Sequence, residues 1–329
     1  MCTALTLASK DGFHFLGRNM DLESDFNQSI ILLPRNFKWK NTVTGKFNRT
    51  KYAVLGMGYI LDNHALYADA FNEKGLACAG LNCHYFIDYE KYTLEGNTNI
   101  GPYDLILWIL SNFKKVSQVK QALKKVTLVA QQFSPDIPLP TLHWIVYDTN
   151  DECIVIESTK DKLSVYDNKI GVLTNSPPFD WQLINLTQYI GLSSKQPDAV
   201  IWHKQELEPL SGGLGLMGMP GDFSSPSRFV RTAYFKSHSA FLDNKESTLS
   251  QCFHILNNVA IIAGSVITSE GKNDITRYTS SMCLETGVYY YNTYEGSQIN
   301  AIDMHKEDLD GSELKVFAYI NRQNINEQN

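Results

Sequence analysis

The chain has 329 residues, of which 43% are hydrophobic and 19% charged, a profile typical of folded globular proteins and not of disordered chains. Its formal net charge is −6 and it carries no basic tail, which argues against nucleic acid as the main partner. The N-terminus lacks the basic and apolar regions of a signal peptide, and no run of about 18 apolar residues occurs. We therefore expect a cytoplasmic protein with no membrane span.

The first 21 residues predict a β-hairpin. Residues Cys2–Ala8 are apolar and β-prone, Lys10-Asp11-Gly12 supplies a turn, and Phe13–Arg18 returns along the first strand. The first strand is apolar on both faces. This pattern is typical of a sheet that is covered on both sides.

The rest of the chain alternates blocks of strands with blocks of helices. Further predicted strands are Ile30–Leu33, Ala53–Met57, Ala77–Leu81, Leu142–Asp148, Cys153–Glu157, Leu163–Asp167, Gly171–Leu173, Ser280–Leu284, Val288–Tyr294 and Gln298–Ile302. Predicted helices are Tyr103–Leu110, Ser117–Val126 and Ser250–Ile262. Blocks of this kind favour an α+β layered fold over alternating βαβ units. No repeat or linker divides the chain, so we expect one domain over residues 1–329.

Two patterns suggest cofactors, and their context argues against both. Residues Gly213–Gly218 match G-x-G-x-x-G, but Pro220 follows and prevents a helix from starting at the last glycine, as a dinucleotide site requires. Cys78, Cys83 and His84 resemble part of a metal site, but the sequence has no second pair with ligand spacing. We expect neither a metal nor an organic cofactor.

Cys2 is the most informative residue. Removal of Met1 leaves a thiol and a free α-amine on one residue, and such an amine titrates near neutral pH, so it can act as the base for the thiol. The hairpin brings Arg18 and Asp21 toward Cys2, where a cation stabilises a thiolate and a carboxylate orients an amine. Strict alternation puts Arg18 and Asp21 on opposite faces, so we expect the strand to bend or end near Asn19. The alternatives are a buried structural cysteine and a surface ion pair.

Several segments, spread over essentially the whole chain, carry a family resemblance. They are Met1–Thr3, Gly17–Asp21, Asn72–Leu76, Ala79–Asn82, Leu142–Trp144, Gly171–Pro177, Pro220–Asp222, Ser227–Phe229 and Tyr289–Tyr294. In this order they resemble the choloylglycine hydrolases and, within that family, the bile salt hydrolases. The resemblance implies a four-layer αββα sandwich of two mainly antiparallel sheets, the N-terminal nucleophile hydrolase fold, and a homotetramer.

The resemblance also implies roles for six residues: Cys2, Arg18, Asp21, Asn82, Asn175 and Arg228. Cys2 corresponds to the nucleophile and base, Arg18 polarises its thiol and Asp21 holds its amine. Asn82 and Asn175 correspond to the contacts to the oxyanion and the amide, and Arg228 stabilises charge. Without the resemblance, both asparagines equally fit turn positions, and Arg228 fits a structural salt bridge.

The implied reaction is hydrolysis of glycine- or taurine-conjugated bile acids, without a cofactor. Asn82 favours this substrate, because the penicillin V acylases of the family tend to carry tyrosine at its position. The resemblance places the substrate in a groove with Asn82 that is lined by Met20, Leu61, Phe133, Ile137 and Leu142. Core packing explains each of these apolar residues equally well.

Three other functions remain open from the sequence. The first is penicillin V acylase chemistry on the same fold, and the second is a non-catalytic protein that binds steroids. The third is a glutaminase of the amidotransferase type, although the chain lacks a partner synthase domain.

Overall fold

The elements of secondary structure run as follows in the structure, a computed structural model that describes residues 1–135 and 137–329. The strands are β1 (Cys2–Ala8), β2 (His14–Leu22), β3 (Ser29–Leu33), β4 (Lys38–Lys40), β5 (Phe47–Arg49), β6 (Val54–Leu61), β7 (His64–Asn72), β8 (Leu76–Asn82), β9 (Thr98–Ile100), β10 (Val126–Leu128), β11 (Leu142–Asp148), β12 (Cys153–Ser158), β13 (Leu163–Asp167), β14 (Val172–Leu173), β15 (Val200–Trp202), β16 (Gln205–Leu207), β17 (Ile275–Cys283), β18 (Val288–Thr293), β19 (Asn300–Asp303) and β20 (Lys315–Phe317). The α-helices are α1 (Leu105–Asn112), α2 (Val116–Leu123), α3 (Phe179–Leu186), α4 (Ser225–Ser237) and α5 (Lys245–Asn258).

Two antiparallel sheets stack on each other at the centre of the protein. One has six strands in the order β14-β1-β2-β17-β18-β19, and the other has eight in the order β13-β12-β11-β8-β7-β6-β3-β20. Helices α4 and α5 pack on the six-stranded sheet, and α1 and α2 pack on the eight-stranded sheet. The predicted α+β class and the four-layer αββα sandwich are therefore confirmed.

Alternating side chains show how the layers are held together. Ile30 and Leu32 of β3 belong to the core between the sheets, whereas Ile31 and Leu33 belong to the core under α1 and α2. A period of two thus buries both faces of one strand. In β1, every residue from Cys2 to Leu7 is buried, which confirms that the first strand is covered on both sides.

All three predicted helices have different bounds in the structure, and α1 lies two residues later than the predicted Tyr103–Leu110. Val126 continues the apolar stripe of α2 in sequence, yet the helix ends at Leu123 and Val126 pairs in parallel with β9. Helix α5 starts five residues earlier than predicted because Asn244 and Ser247 form a capping box before it. Among the described residues, no helix has the length and apolar character needed to cross a bilayer.

Several elements were not predicted: β4, β5, β7, β9, β10, β15, β16, β20, α3 and α4. The glycine-rich segment after Pro209 contains only a 3-10 turn at Leu214–Leu216, and the next helix begins at Ser225. This order differs from the strand–turn–helix that a dinucleotide site requires.

Candidate active site

Cys2 lies at the start of β1, where β2 runs beside it. The residue is 5% exposed, and its neighbour across the ladder is Met20. Its sulfur accepts a hydrogen bond from Arg18 Nη2 at 2.8 Å and lies 3.8 Å from Met20 Sδ. The sulfur therefore occupies the space between the two sheets, beside a guanidinium group.

Arg18 is fully buried, and its guanidinium bridges the two sheets. Nη1 donates to the carbonyl oxygens of Ala68 at 3.1 Å and Gly80 at 3.2 Å, both on the eight-stranded sheet. Burial opposes the charge, but the Cys2 sulfur and Asp69 raise the pKa of Arg18 above its ordinary value. Arg18 is thus a fixed cation, the kind of neighbour that favours a thiolate.

Asp21 lies on the opposite face of β2 from Arg18, as strand alternation requires. The strand continues to Leu22, so the prediction that it ends near Asn19 is wrong, and the ladder with β17 has a register shift beside Met20 and Asp21. The two residues serve different parts of the site, because Arg18 reaches the sulfur of Cys2 while Asp21 lies at the amino end of the chain. There, Asp21 exchanges two backbone hydrogen bonds with Met1, at 2.6 and 2.9 Å.

The Asp21 carboxylate is fully buried and only partly hydrogen-bonded. Its Oδ1 accepts from Thr276 Oγ1 at 2.6 Å. Within residues 1–135 and 137–329, its Oδ2 has no hydrogen-bond partner. Burial raises the pKa of Asp21, while Arg228 and the N-terminal amine oppose that rise. An unpartnered buried oxygen next to the chain terminus is suited to accept from an amine.

Asn175 and Arg228 meet at the backbone of Cys2. Asn175 Oδ1 accepts from Cys2 N at 2.7 Å and from Arg228 Nη2 at 2.7 Å. Arg228 Nη1 also donates to the Cys2 carbonyl oxygen and to Thr3 Oγ1. Burial lowers the pKa of Arg228, and the nearby charge of Asp21 opposes this effect. The two residues fix the position of the Cys2 backbone.

Asn82 joins this group through its main chain and not through its side chain. Its carbonyl oxygen accepts from Asn175 Nδ2 at 2.7 Å. Its side-chain amide lies 2.7 Å from His84 Nε2 and accepts from Thr141 Oγ1 at 2.5 Å. His84 and Thr141 therefore hold the amide of Asn82, a role that the sequence analysis did not anticipate.

Met1 occupies the amino end of the site. Its ammonium group donates to Asp21 O at 2.6 Å and forms an ion pair with Asp274 at 3.3 Å. With Met1 in place, the nitrogen of Cys2 is an amide nitrogen and cannot act as a base. The free amine of Cys2 arises only when Met1 is removed.

The proposed groove residues differ in their surroundings. Met20 is 7% exposed and contacts the Cys2 sulfur, whereas Leu61, Phe133, Ile137 and Leu142 are half-buried. Leu142 pairs with Asn82 across the ladder, and the ring of Phe133 packs against His64 with centroids 5.1 Å apart. Leu61 pairs with His64 on the same hairpin. The four half-buried side chains therefore keep part of their apolar surface exposed.

Cys83, His143 and Glu157 form a buried cluster behind Asn175 that the sequence analysis missed. His143 Nδ1 lies 2.8 Å from Glu157 Oε1 and its Nε2 lies 2.9 Å from the Thr174 carbonyl oxygen. Both ring nitrogens face oxygen acceptors, so both donate in this arrangement. Burial opposes the charge of His143, but hydrogen bonding with Cys83 and Glu157 raises its pKa to about 10.

The hydrogen bonds of His143 affect whether this cluster could bind a metal ion. The ligand atoms of Cys83, His143 and Glu157 lie within 4.8 Å of one another, a grouping that excludes Cys78 and His84 of the sequence pattern. An imidazolium has no lone pair to offer a cation. The cluster is better suited to hold the Thr174–Asn175 backbone than to bind a metal.

The arrangement as a whole can support nucleophilic attack on a carbonyl carbon. It combines a cysteine sulfur beside a buried cation, a carboxylate at the amino end and fixed amide groups at the Cys2 backbone. These are the components of acyl transfer through a covalent intermediate.

Comparisons with known proteins agree with this chemistry. A family model described as "Linear amide C-N hydrolases, choloylglycine hydrolase family" matches residues 2–317. The chain is 53% identical to the "Bile salt hydrolase/transferase" of Clostridium perfringens over 329 residues, which cover all of both chains.

Solved structures give the same result at the level of the fold. The C2A mutant of the conjugated bile acid hydrolase from Clostridium perfringens superposes with a TM-score of 0.95 at 52% identity over the full length of both chains. A penicillin V acylase from Agrobacterium tumefaciens superposes with a TM-score of 0.75 at 20% identity, covering 96% of this chain and 90% of its own. The acylase likeness concerns the fold alone.

Proposed function

Because the chain belongs to the choloylglycine hydrolase family of linear amide C–N hydrolases, we propose that it hydrolyses glycine- or taurine-conjugated bile acids. The products are the free bile acid and the amino acid. The observation that carries the proposal is the 2.8 Å contact between Arg18 Nη2 and Cys2 Sγ. It places a permanent cation on the sulfur of the residue that becomes N-terminal when Met1 is lost. The names of the bile salt hydrolase relatives support the substrate class.

In the proposed reaction Cys2 attacks the amide carbonyl carbon. The α-amine of Cys2 takes the thiol proton and passes it to the leaving nitrogen, and water then cleaves the thioester. Arg18 stabilises the thiolate. Asp21 holds the amine through Oδ2, the oxygen that has no hydrogen-bond partner among the described residues.

The remaining polar residues act on the tetrahedral intermediate. Asn175 Nδ2 donates one hydrogen to Asn82 O and keeps a second for the oxyanion. Asn82 supplies its side-chain amide after release from His84 and Thr141. Arg228 stabilises charge through the Cys2 carbonyl oxygen and Asn175 Oδ1.

The steroid nucleus lies against the apolar groove residues defined above, Met20, Leu61, Phe133, Ile137 and Leu142, beside Asn82. The partial exposure of the last four supports this role, because a rigid apolar ligand gains affinity from apolar area that is still free to be covered.

Purified protein with Met1 removed, incubated with glycocholate and in parallel with penicillin V, tests the substrate class. We expect free cholate by mass spectrometry and much slower cleavage of the penicillin. Faster cleavage of penicillin V would transfer the assignment to the acylases. Tight binding of glycocholate without any turnover would favour a steroid-binding protein.

A second activity follows from the same thioester. An amine that replaces water in the deacylation step forms a new amide, and the name of the Clostridium perfringens relative includes "transferase". We propose that the chain also transfers the bile acyl group to free amino acids. New conjugates in reactions supplemented with phenylalanine, absent without enzyme, test this step.

We also propose a cytoplasmic homotetramer. All six cysteines are free thiols, which supports a reducing compartment. The β15–β16 hairpin supports assembly, because it presents Ile201 at 70% and Trp202 at 72% exposure. Apolar side chains exposed to this degree on one arm are typical of surfaces that pack against another copy.

A further inference from the structure

Arg18 is held from behind by a second buried ionic group. Asp69 Oδ2 lies 3.6 Å from Arg18 Nη1, and both side chains are fully buried. The two residues come from different sheets, Arg18 from β2 and Asp69 from β7. The guanidinium therefore lies between the Cys2 sulfur on one side and a carboxylate on the other.

A β-bulge directs Asp69 into this position. Between the partner pairs Met57–Asp69 and Gly58–Tyr67 the register shifts, so that Ala68 is an extra residue on β7. The extra residue reverses which side chains of the strand point to each face of the sheet. Asp69 therefore faces the six-stranded sheet, although Tyr67, two residues earlier, belongs to the core under α1 and α2. The same bulge presents the Ala68 carbonyl oxygen to Arg18 at 3.1 Å.

The opposing strand permits the bulge because it carries glycine there. A Cβ at Gly58 would lie 2.5 Å from the Leu66 carbonyl oxygen. A side chain at this position would push β7 away. The Ala68 carbonyl oxygen and the Asp69 carboxylate, which face Arg18, would move with the strand.

Three hydroxyl groups hold the Asp69 carboxylate. Tyr278 and Tyr289 each donate at 2.6 Å, and Ser280 donates at 3.2 Å. Burial raises the pKa of Asp69, and Arg18 and these three donors oppose the rise. A buried carboxylate with several donors and one cation is costly to assemble, so its presence beside the nucleophile calls for a functional reason.

We propose that Asp69 is a positioning residue that holds the Arg18 guanidinium on the Cys2 sulfur, with Tyr278, Tyr289 and Ser280 fixing its carboxylate. The proposal deepens the proposed function and rests on it for the kinetic readout. Asp69 itself does not touch substrate. It acts because a guanidinium that is tethered on both sides cannot turn away when the sulfur changes its charge.

The test compares Asp69→Asn and Tyr289→Phe with a matched control, Tyr291→Phe. Tyr291 is buried on the same strand as Tyr289, but its hydroxyl donates to the Ala318 carbonyl oxygen and not to Asp69. Two readouts are used: kcat and KM for glycocholate, and the rate of Cys2 alkylation by iodoacetamide between pH 5 and 10. The titratable and charged groups around Cys2 in this experiment are its own α-amine, Arg18, Arg228, Tyr278 and the Asp21 carboxylate.

For Asp69→Asn we expect kcat to fall about tenfold or more and KM to stay within about twofold. The alkylation profile should move to higher pH, because a displaced guanidinium stabilises the thiolate less, whereas loss of the carboxylate charge alone would move it to lower pH. Tyr289→Phe should show a smaller change in the same direction and Tyr291→Phe none. An alkylation profile that is unchanged or moves to lower pH in folded Asp69→Asn, or equal effects of the two phenylalanine variants, would overturn the proposal. If Asp69→Asn does not fold, the phenylalanine pair decides. Because alkylation needs no substrate, a wild type that fails to cleave glycocholate would count against the proposed function and not against this inference.

Discussion

Arg228 Nη1 lies 3.9 Å from Asp21 Oδ2, and both side chains are fully buried. The pair links α4 to β2, and the same guanidinium nitrogen binds the carbonyl oxygen of Cys2. Burial raises the pKa of Asp21 and lowers that of Arg228, and each charge opposes the shift of the other. The amino end of the site therefore depends on both charges.

We predict that Asp21→Asn lowers kcat by roughly 100-fold or more, since an amide nitrogen in place of Oδ2 cannot accept from the Cys2 amine. The variant should stay folded, because Thr276 can still donate to the remaining oxygen. Steady-state kinetics and thermal melting measure both effects. Asp25→Asn, at a carboxylate that is 55% exposed, is the control and should retain its rate. A near-normal rate in Asp21→Asn would contradict the assigned role.

Retention of Met1 should abolish activity. The nitrogen of Cys2 is then an amide, and the ammonium group is displaced onto Met1 beside Asp274. An uncleavable peptide placed before Met1 tests this, with the same peptide at the C-terminus as the control. Intact mass verifies the state of each protein. Turnover by a preparation that retains Met1 throughout would contradict the mechanism.

The His143–Glu157 pair predicts a loss of stability at high pH. The pKa of His143 is raised to about 10 in the folded protein, against about 6.5 in an unfolded chain. The stabilisation is therefore complete below about pH 6.5 and is lost as the pH rises toward 10. We expect the urea midpoint to fall over this window.

A variant that combines His143→Gln with Glu157→Gln serves as the comparison, because neither replacement titrates. Its stability should change less than that of the wild type between pH 6.5 and 10. His254→Gln, on an exposed side chain, should follow the wild type. Parallel curves for the wild type and the double variant would show that the pair does not carry this pH dependence.

The exposed hairpin predicts the effect of a charge on assembly. Trp202→Glu should shift the protein from the proposed tetramer to smaller species in size-exclusion chromatography with light scattering, since a buried unpaired carboxylate is costly. Tyr92→Glu, at a side chain that is 82% exposed in another segment, is the control. A tetramer that survives Trp202→Glu at low concentration would place the interface elsewhere.

Much of the fold could be predicted from the sequence because its strands are strongly patterned. The bounds of β11 and β13 agree with the prediction to the residue. Strand β7 was missed because polar residues such as Asp69 and Asn72 interrupt its apolar pattern. These two side chains are buried and hydrogen-bonded, a fact that depends on tertiary contacts.

Helix α4, which carries Arg228, had a signal that could have found it. Ser224 precedes the helix and Pro226 stands in its first turn, a combination typical of a helix start. The alternation of side chains in β2 predicted the site only in part. Alternation correctly put Arg18 and Asp21 on opposite faces, but the sequence alone did not show that one reaches the sulfur of Cys2 and the other the amino end.

The direct test of the central claim is the release of cholate from glycocholate by protein with Met1 removed, followed by mass spectrometry, with Cys2→Ala alongside. We predict release by the parent protein and none above background by the variant. Equal release by both proteins, or no release by a parent whose mass shows that Met1 is gone, would contradict the assignment of Cys2 as the nucleophile of a conjugated bile acid hydrolase.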